Sequence, residues 1–173
     1  MSSANKNLST VHFHEPLPKT NAMRFEIVVS EWNTEITDAL LRGALETLEE
    51  YGVKKKNISL NYVPGSFELT LGAQLAAKKS TIDAVICLGC VIQGETKHFD
   101  FICQAVANGI TQVSINTNKP VIFGVLTTNN QQQALDRCGG KHGNKGTEAA
   151  ITAIKMVALQ QKSKKKPTQT PKK

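Results

Sequence analysis

A three-layer α/β/α sandwich built on a four-stranded parallel sheet is the architecture this sequence predicts, and three observations predict it. Four short runs rich in β-branched residues begin near Phe25, Ile58, Asp83 and Val121, and each is followed by a segment of helical period. The run Ala84-Val85-Ile86-Cys87-Leu88 is apolar without alternation, the pattern of a strand covered on both faces. Strands that alternate with helices in this way close into a parallel sheet through right-handed crossovers.

The elements follow in order. Residues 1–22 are polar, broken by Pro16 and Pro18, and read as an extended arm. Phe25 to Ser30 is the first strand, and Asn33 or Thr34 is placed to cap the helix after it, whose Ile36, Leu40, Leu41, Ala44, Leu45 and Leu48 recur at helical spacing before Gly52. Lys54, Lys55 and Lys56 form a solvated turn, and Ile58 to Val63 a second strand ending at Pro64-Gly65. A helix over Phe67 to Lys79 is expected to turn Leu71, Leu75 and Ala76 inward. The third strand spans Asp83 to Leu88, the chain turns at Gly89 and Gly94, and a helix begins after Thr96 with Phe101, Ile102, Ala105, Val106 and Ile110 as its apolar stripe. Val121 to Thr127 makes the fourth strand, a short helix ends near Cys138, Gly139 to Gly146 is a basic glycine-rich turn, and a small-residue helix through Ala149, Ala153 and Val157 closes the fold.

At 173 residues the chain suits one domain, placed at residues 23–160, with a basic disordered tail at 161–173. The net charge of +7 is concentrated: six lysines between Lys162 and Lys173 leave the rest near +1. The tail therefore reads as a solvated extension with weak polyanion attraction, and no specific nucleic-acid partner is expected. Nothing approaches the roughly 20 apolar residues of a membrane span, and the start has no secretory h-region. Cys87, Cys90, Cys103 and Cys138 fall in or beside core elements, which favours a reducing, cytoplasmic setting. Cys87-Leu88-Gly89-Cys90 has C-x-x-C spacing, but one cysteine lies within a strand and no second pair completes a metal site, so both read as small buried hydrophobes and no metal site is expected.

Ligands of open α/β sheets bind at the carboxyl ends of the strands. Three such ends carry chemistry here: Trp32 and Asn33, then Gly65 to Glu68, then Cys90 to His98. His98, in the first turn of a helix, is the side chain best suited to move protons near neutral pH, against the alternative of a plain surface histidine. Trp32 is either a packing residue or an indole that stacks on a planar heterocycle. Glu68 either favours a helix dipole or hydrogen-bonds a polyol. The turn Gly139 to Gly146 is not a Walker A loop, since a helix precedes it and no Ser or Thr follows the lysine. Arg137 and Lys145 beside it are either solvated cations or donors to a phosphate.

Five segments taken together resemble the 6,7-dimethyl-8-ribityllumazine synthase family: Val29-Ser30-Glu31-Trp32-Asn33, Val63-Pro64-Gly65-Ser66-Phe67-Glu68, Gly89 through Asp100, Pro120-Val121-Ile122-Phe123-Gly124, and Gly143-Asn144-Lys145-Gly146. The resemblance covers about Arg24 to Met156 and implies a flavodoxin-like fold. It also implies a cofactor-free condensation of 5-amino-6-(D-ribitylamino)uracil with 3,4-dihydroxy-2-butanone 4-phosphate, by imine formation, loss of phosphate and ring closure, in riboflavin biosynthesis. On that basis Trp32 stacks on the pyrimidine, Ser66, Phe67 and Glu68 hold it and its ribityl chain, and Cys90, Val91 and Ile92 contact the ring. Glu95 and Thr96 receive the phosphate substrate, and His98 transfers protons. Phe123 and Arg137 come from the adjacent subunit, Arg137 on the phosphate with Lys145 close by. Cys90 stands where threonine is common in the family, and Glu95 and Lys97 where smaller or uncharged residues occur. The resemblance further implies a homo-oligomer, a pentamer or a sixty-subunit icosahedral shell; the short turn before Gly146 favours the shell, and riboflavin synthase is a candidate partner. Two rival readings are a flavin or nucleotide module of similar architecture, for which Glu31-Trp32-Asn33-Thr34 is a poor phosphate loop, and a polyanion binder acting through the lysine tail.

Overall fold

The computed structural model describes residues 19–164. Its strands are β1 (Phe25–Ser30), β2 (Ile58–Val63), β3 (Ala84–Ile92) and β4 (Val121–Thr128), all parallel in the order β2-β1-β3-β4. The helices are α1 (Thr34–Glu50), α2 (Leu69–Ala77), α3 (His98–Thr117), the short α4 (Gln131–Leu135) and α5 (Lys145–Lys164). A small antiparallel ladder, β5 (Cys138–Gly140) with β6 (Gly143–Asn144), precedes α5.

Period-two alternation sorts the core into two layers. Phe25, Ile27 and Val29 of β1 join Ile86 and Leu88 of β3 beneath Leu40, Ala44 and Leu48 of α1 and Ala150, Ile154 and Val157 of α5. Val28, Val85 and Cys87 face the other way, toward Leu69, Ala73 and Ala76 of α2 and Val106 and Ile110 of α3. Helices therefore cover both faces of one parallel sheet, the three-layer sandwich expected. Glu26 is the charged exception in this core: its buried carboxylate accepts from Lys79 Nζ at 2.7 and 2.8 Å and from Asn61 Nδ2 at 2.5 Å. Burial of that charge is tolerable because it is paired and hydrogen-bonded.

Several expectations need correction. Leu71 and Leu75 are 61% and 60% exposed, because α2 presents Leu69, Ala73, Ala76 and Ala77 to the sheet, which puts Leu71 and Leu75 on the opposite side. With apolar residues on both sides of the helix, periodicity alone does not choose the buried one. Phe101 is likewise exposed, while Val106, Ile110 and Val113 supply the buried stripe of α3. The third strand runs four residues past Leu88, so Gly89 lies within β3 and does not turn the chain. Neither Gly89 nor Gly94 has positive φ. The basic turn is in fact the β5–β6 ladder, and α5 continues to Lys164, into the segment assigned to the tail; residues 165–173, like 1–18 of the arm, lie outside the described residues.

Candidate active site

The strand order places a switch point between β1 and β3: the chain leaves β1 toward β2 on one side and returns to build β3 and β4 on the other. Crevices open at such points because the two connections diverge. A cavity of about 650 Å³ lies there, lined by Trp32 and Asn33 after β1, Ser66, Phe67 and Glu68 after β2, Cys90, Val91 and Ile92 at the end of β3, and His98 and Ile102 on α3. Eight of the site residues expected from sequence thus meet around one space.

Local folding explains how they are held. Asn33 adopts the left-handed conformation, φ 63° and ψ 48°, which asparagine tolerates better than most residues. Its side chain does not cap α1 as expected. Instead Nδ2 donates to the carbonyl of Cys90 at 2.9 Å and ties the loop after β1 to the end of β3, with the exposed indole of Trp32 beside it. Thr34 Oγ1 donates to the carbonyl of Glu31 at 2.7 Å and closes the same turn. Glu68 precedes α2, and its carboxylate accepts the Gly65 amide at 3.0 Å, which folds the Gly65–Glu68 turn on itself.

Gly89 serves close approach. A Cβ there would lie 2.8 Å from both Leu69 Cδ1 and Ser66 Oγ and 3.2 Å from Ser30 Oγ, so only glycine lets the loop after β2 settle onto β3. Among the described residues, the buried hydroxyls of Ser30, Ser66 and Thr128 have no hydrogen-bond partner. Of these, Ser66 faces the cavity, where a polar ligand group would satisfy it.

His98 opens α3, exposed, and its backbone amide donates to Thr96 Oγ1 at 3.3 Å. Glu95 and Thr96 are exposed on the connection between β3 and α3 and line neither this cavity nor the next. Burial pushes the Cys87 thiol up to about 12, and burial with the neighbouring Cys138 does the same to Cys90, which disfavours the nucleophilic thiolate at both. The structural reading of the C-x-x-C segment therefore stands. Among the described residues, no group of three or more His, Cys, Asp or Glu is placed to hold a metal ion.

The remaining predicted residues lie elsewhere. Phe123, Arg137 and Lys145 line a second cavity of about 550 Å³ that wraps the edge strand β4, from Ser114 on α3 to Met156 on α5. Arg137 follows α4 and donates from one guanidinium nitrogen to the Gln133 carbonyl at 2.9 Å. Lys145 opens α5 and reaches Glu148 Oε1 at 2.7 Å, one helical turn on. That pairing, with Lys145 only 24% exposed, removes it from the class of freely solvated cations. Sequence reasoning missed Glu148, although the (i, i+3) spacing from Lys145 was there to find, and it placed Asn33 at a strand end of interest without foreseeing its bond to Cys90.

Within one chain, then, a crevice lined by Trp32, Phe67 and His98 and a hollow bearing the cations Arg137 and Lys145 sit at different places on the sheet. The family model described as 6,7-dimethyl-8-ribityllumazine synthase matches residues 22–161. Proteins of that name from three bacteria are similar over nearly their whole length. The one from Cytophaga hutchinsonii is 63% identical over 158 residues, 91% of this chain and 98% of that one. That from Parabacteroides distasonis is 53% identical over 157 residues, 91% and 98% of the two chains. That from Phocaeicola vulgatus is 51% identical over 165 residues, 95% and 98%. Both crevice and hollow fall inside the matched span, and the chain belongs to the 6,7-dimethyl-8-ribityllumazine synthase family.

Proposed function

We propose that this chain condenses 5-amino-6-(D-ribitylamino)uracil with 3,4-dihydroxy-2-butanone 4-phosphate to 6,7-dimethyl-8-(D-ribityl)lumazine, a step of riboflavin biosynthesis, at sites shared between neighbouring copies. The observation that carries the reading is the separation of crevice from hollow, because an amine-bearing ring and a phosphate monoester ask for these two surroundings. The crevice between β1 and β3 suits the pyrimidine: Trp32 stacks on it, Val91 and Ile92 pack its edge, and Ser66, Phe67 and Glu68 hold the ring and the ribityl hydroxyls. His98 at the rim carries protons from the attacking amine to the departing water and phosphate, a role that contributes typically about 10² to 10⁴-fold. Arg137, a planar fork, and Lys145, a point charge, suit the phosphate. Glu95 and Thr96, on the exposed connection before α3, receive that substrate.

Assembly is part of the proposal. Leu60 and Tyr62 on β2 with Leu71 and Leu75 on α2 are exposed at one edge of the sheet, and Phe123 on β4 with Met156 and Leu159 on α5 at the other. Two unlike apolar faces on opposite edges suit head-to-tail contacts that close into a ring. Such a contact brings one copy's Phe123 and Arg137 to its neighbour's crevice. With the family resemblance as support, the proposed ring is a pentamer, and the short turn before Gly146 favours its assembly into a sixty-subunit shell over a free pentamer, with a cytoplasmic setting and riboflavin synthase as a candidate partner. Light scattering that finds isolated protomers would contradict the shared site, and one that finds only pentamers would contradict the shell.

The test of the reaction mixes purified protein with both substrates and follows product absorbance against a protein-free control. Product formed faster than the control, and only with both substrates, supports the proposal. Tight binding of flavin mononucleotide without any lumazine would return the assignment to a flavin-binding module.

A further inference from the structure

Beside the cationic hollow, the arm that bears Arg137 and Lys145 carries a side chain that lines neither cavity and is hydrogen-bonded both within that arm and to α1. Asn144 ends β6, between Arg137 and Lys145 in that arm. Its Nδ2 donates to the Ala39 carbonyl on α1 at 2.9 Å and to the Cys138 carbonyl at 3.1 Å, and its Oδ1 accepts the Gly146 amide at 2.8 Å. Two carbonyls facing the nitrogen and one N–H facing the oxygen fix which way the amide points. The Lys145 amide in turn donates to the Arg137 carbonyl at 2.9 Å, so the two cationic residues are joined through their backbones.

The seat of this amide on α1 is Gly43. A Cβ there would lie 2.5 Å from Asn144 Cγ and Nδ2 and 2.7 Å from Oδ1, so any larger residue would push the amide out. Gly146 completes the contact, since a Cβ on it would collide with the Leu40 carbonyl, and Thr147 Oγ1 donates to the Gly43 carbonyl at 3.3 Å. None of these bonds reaches the crevice between β1 and β3.

We propose that Asn144, seated on Gly43, is a positioning residue that pins Arg137 and Lys145 to α1 as one rigid pair for the phosphate of the substrate. The inference rests on the reading that those cations take the phosphate. Pre-setting two cations matters because reacting groups displaced by about 1 Å lose up to about a hundredfold in rate.

The test uses the full-length oligomer and three variants: Asn144→Ala, Gly43→Ala and, as the control on the underlying reading, Arg137→Ala. Readouts are KM for each substrate and the inhibition constant of inorganic phosphate. Asn144→Ala is expected to raise the butanone phosphate KM and the phosphate inhibition constant by between about tenfold and a hundredfold. The pyrimidine KM should move by less than about twofold, the scatter of independent sites. Gly43→Ala alters no residue of the arm itself and should reproduce that split by displacing the Asn144 amide, which keeps the proposal testable if Asn144→Ala does not fold. In the double variant the two effects should coincide, not multiply. A rise in both KM values alike, or phosphate inhibition unchanged in Asn144→Ala and Gly43→Ala while Arg137→Ala weakens it, overturns the positioning role. Unchanged inhibition in Arg137→Ala itself would overturn the phosphate reading, and this proposal with it.

Discussion

The crevice between β1 and β3 and the hollow around β4 are built by different means. The crevice is made of strand ends: its walls are the residues that follow β1, β2 and β3, so the sheet itself sets their spacing. The hollow lies beyond the last strand, and its cations ride on α4, the β5–β6 ladder and the start of α5, braced against α1. The first carries Trp32, Phe67 and His98, the second the cations Arg137 and Lys145. In the proposed reaction these two places on one sheet would serve as half-sites, each for one kind of substrate group, completed only between neighbouring copies.

The comparison breaks most visibly at His98. His98→Ala is expected to slow turnover by about 10² to 10⁴-fold while pyrimidine affinity, measured by calorimetry, stays nearly constant. A comparable loss of pyrimidine affinity would make His98 a binding residue and not a proton carrier. Next in size is Arg137→Ala, which should raise the KM for butanone phosphate by roughly ten- to a hundredfold, the value of a hydrogen bond to a charged group, and spare the pyrimidine. If both substrates suffer equally, the crevice and the hollow do not divide the labour. Gly89→Ala sharpens the crevice side through stability: a methyl 2.8 Å from Leu69 and Ser66 should cost about 1–3 kcal/mol in urea unfolding. The smallest effect belongs to Cys90→Ser. With its thiol pushed up to about 12, Cys90 stays protonated at working pH, so turnover should change by less than the about 10²-fold expected of a proton-transferring group. A larger loss would give that thiol a part in the chemistry.

How much of this was legible in the sequence varied by the kind of residue. The buried run Ala84 to Leu88 and the stripe of α1 announced the layers because strand and helix periods are local properties. Trp32, Ser66, Glu68 and His98 could be placed near one another because a parallel sheet gathers its strand ends whatever the loops contain. Leu71, Leu75 and Phe101 were misread inward, since an exposed apolar residue on a helix has the same spacing as one turned toward the core. Gly89 resembled a turn because its actual reason, the approach of Ser66 and Leu69 from a distant loop, is written nowhere near it. Asn33 resembled a helix cap, which its chemistry permits, but its Nδ2 donates to the carbonyl of Cys90 on a strand remote in sequence and its side chain makes no cap bond to α1. Interactions local in sequence could be read, whereas those that depend on two remote segments meeting could not.

The shared site is tested most directly by mixing two inactive halves. His98→Ala subunits retain the hollow and Arg137→Ala subunits retain the crevice, so at butanone phosphate well below the raised KM of Arg137→Ala each assembly alone should be nearly inactive. Co-assembled at equal ratio in a head-to-tail ring, random neighbours should rebuild an intact crevice beside an intact hollow at about a quarter of the interfaces, and activity should recover to about that fraction of the unmodified protein. Mixed assemblies no more active than the average of the two variants would contradict the account, since crevice and hollow would then have to serve each other within a single copy.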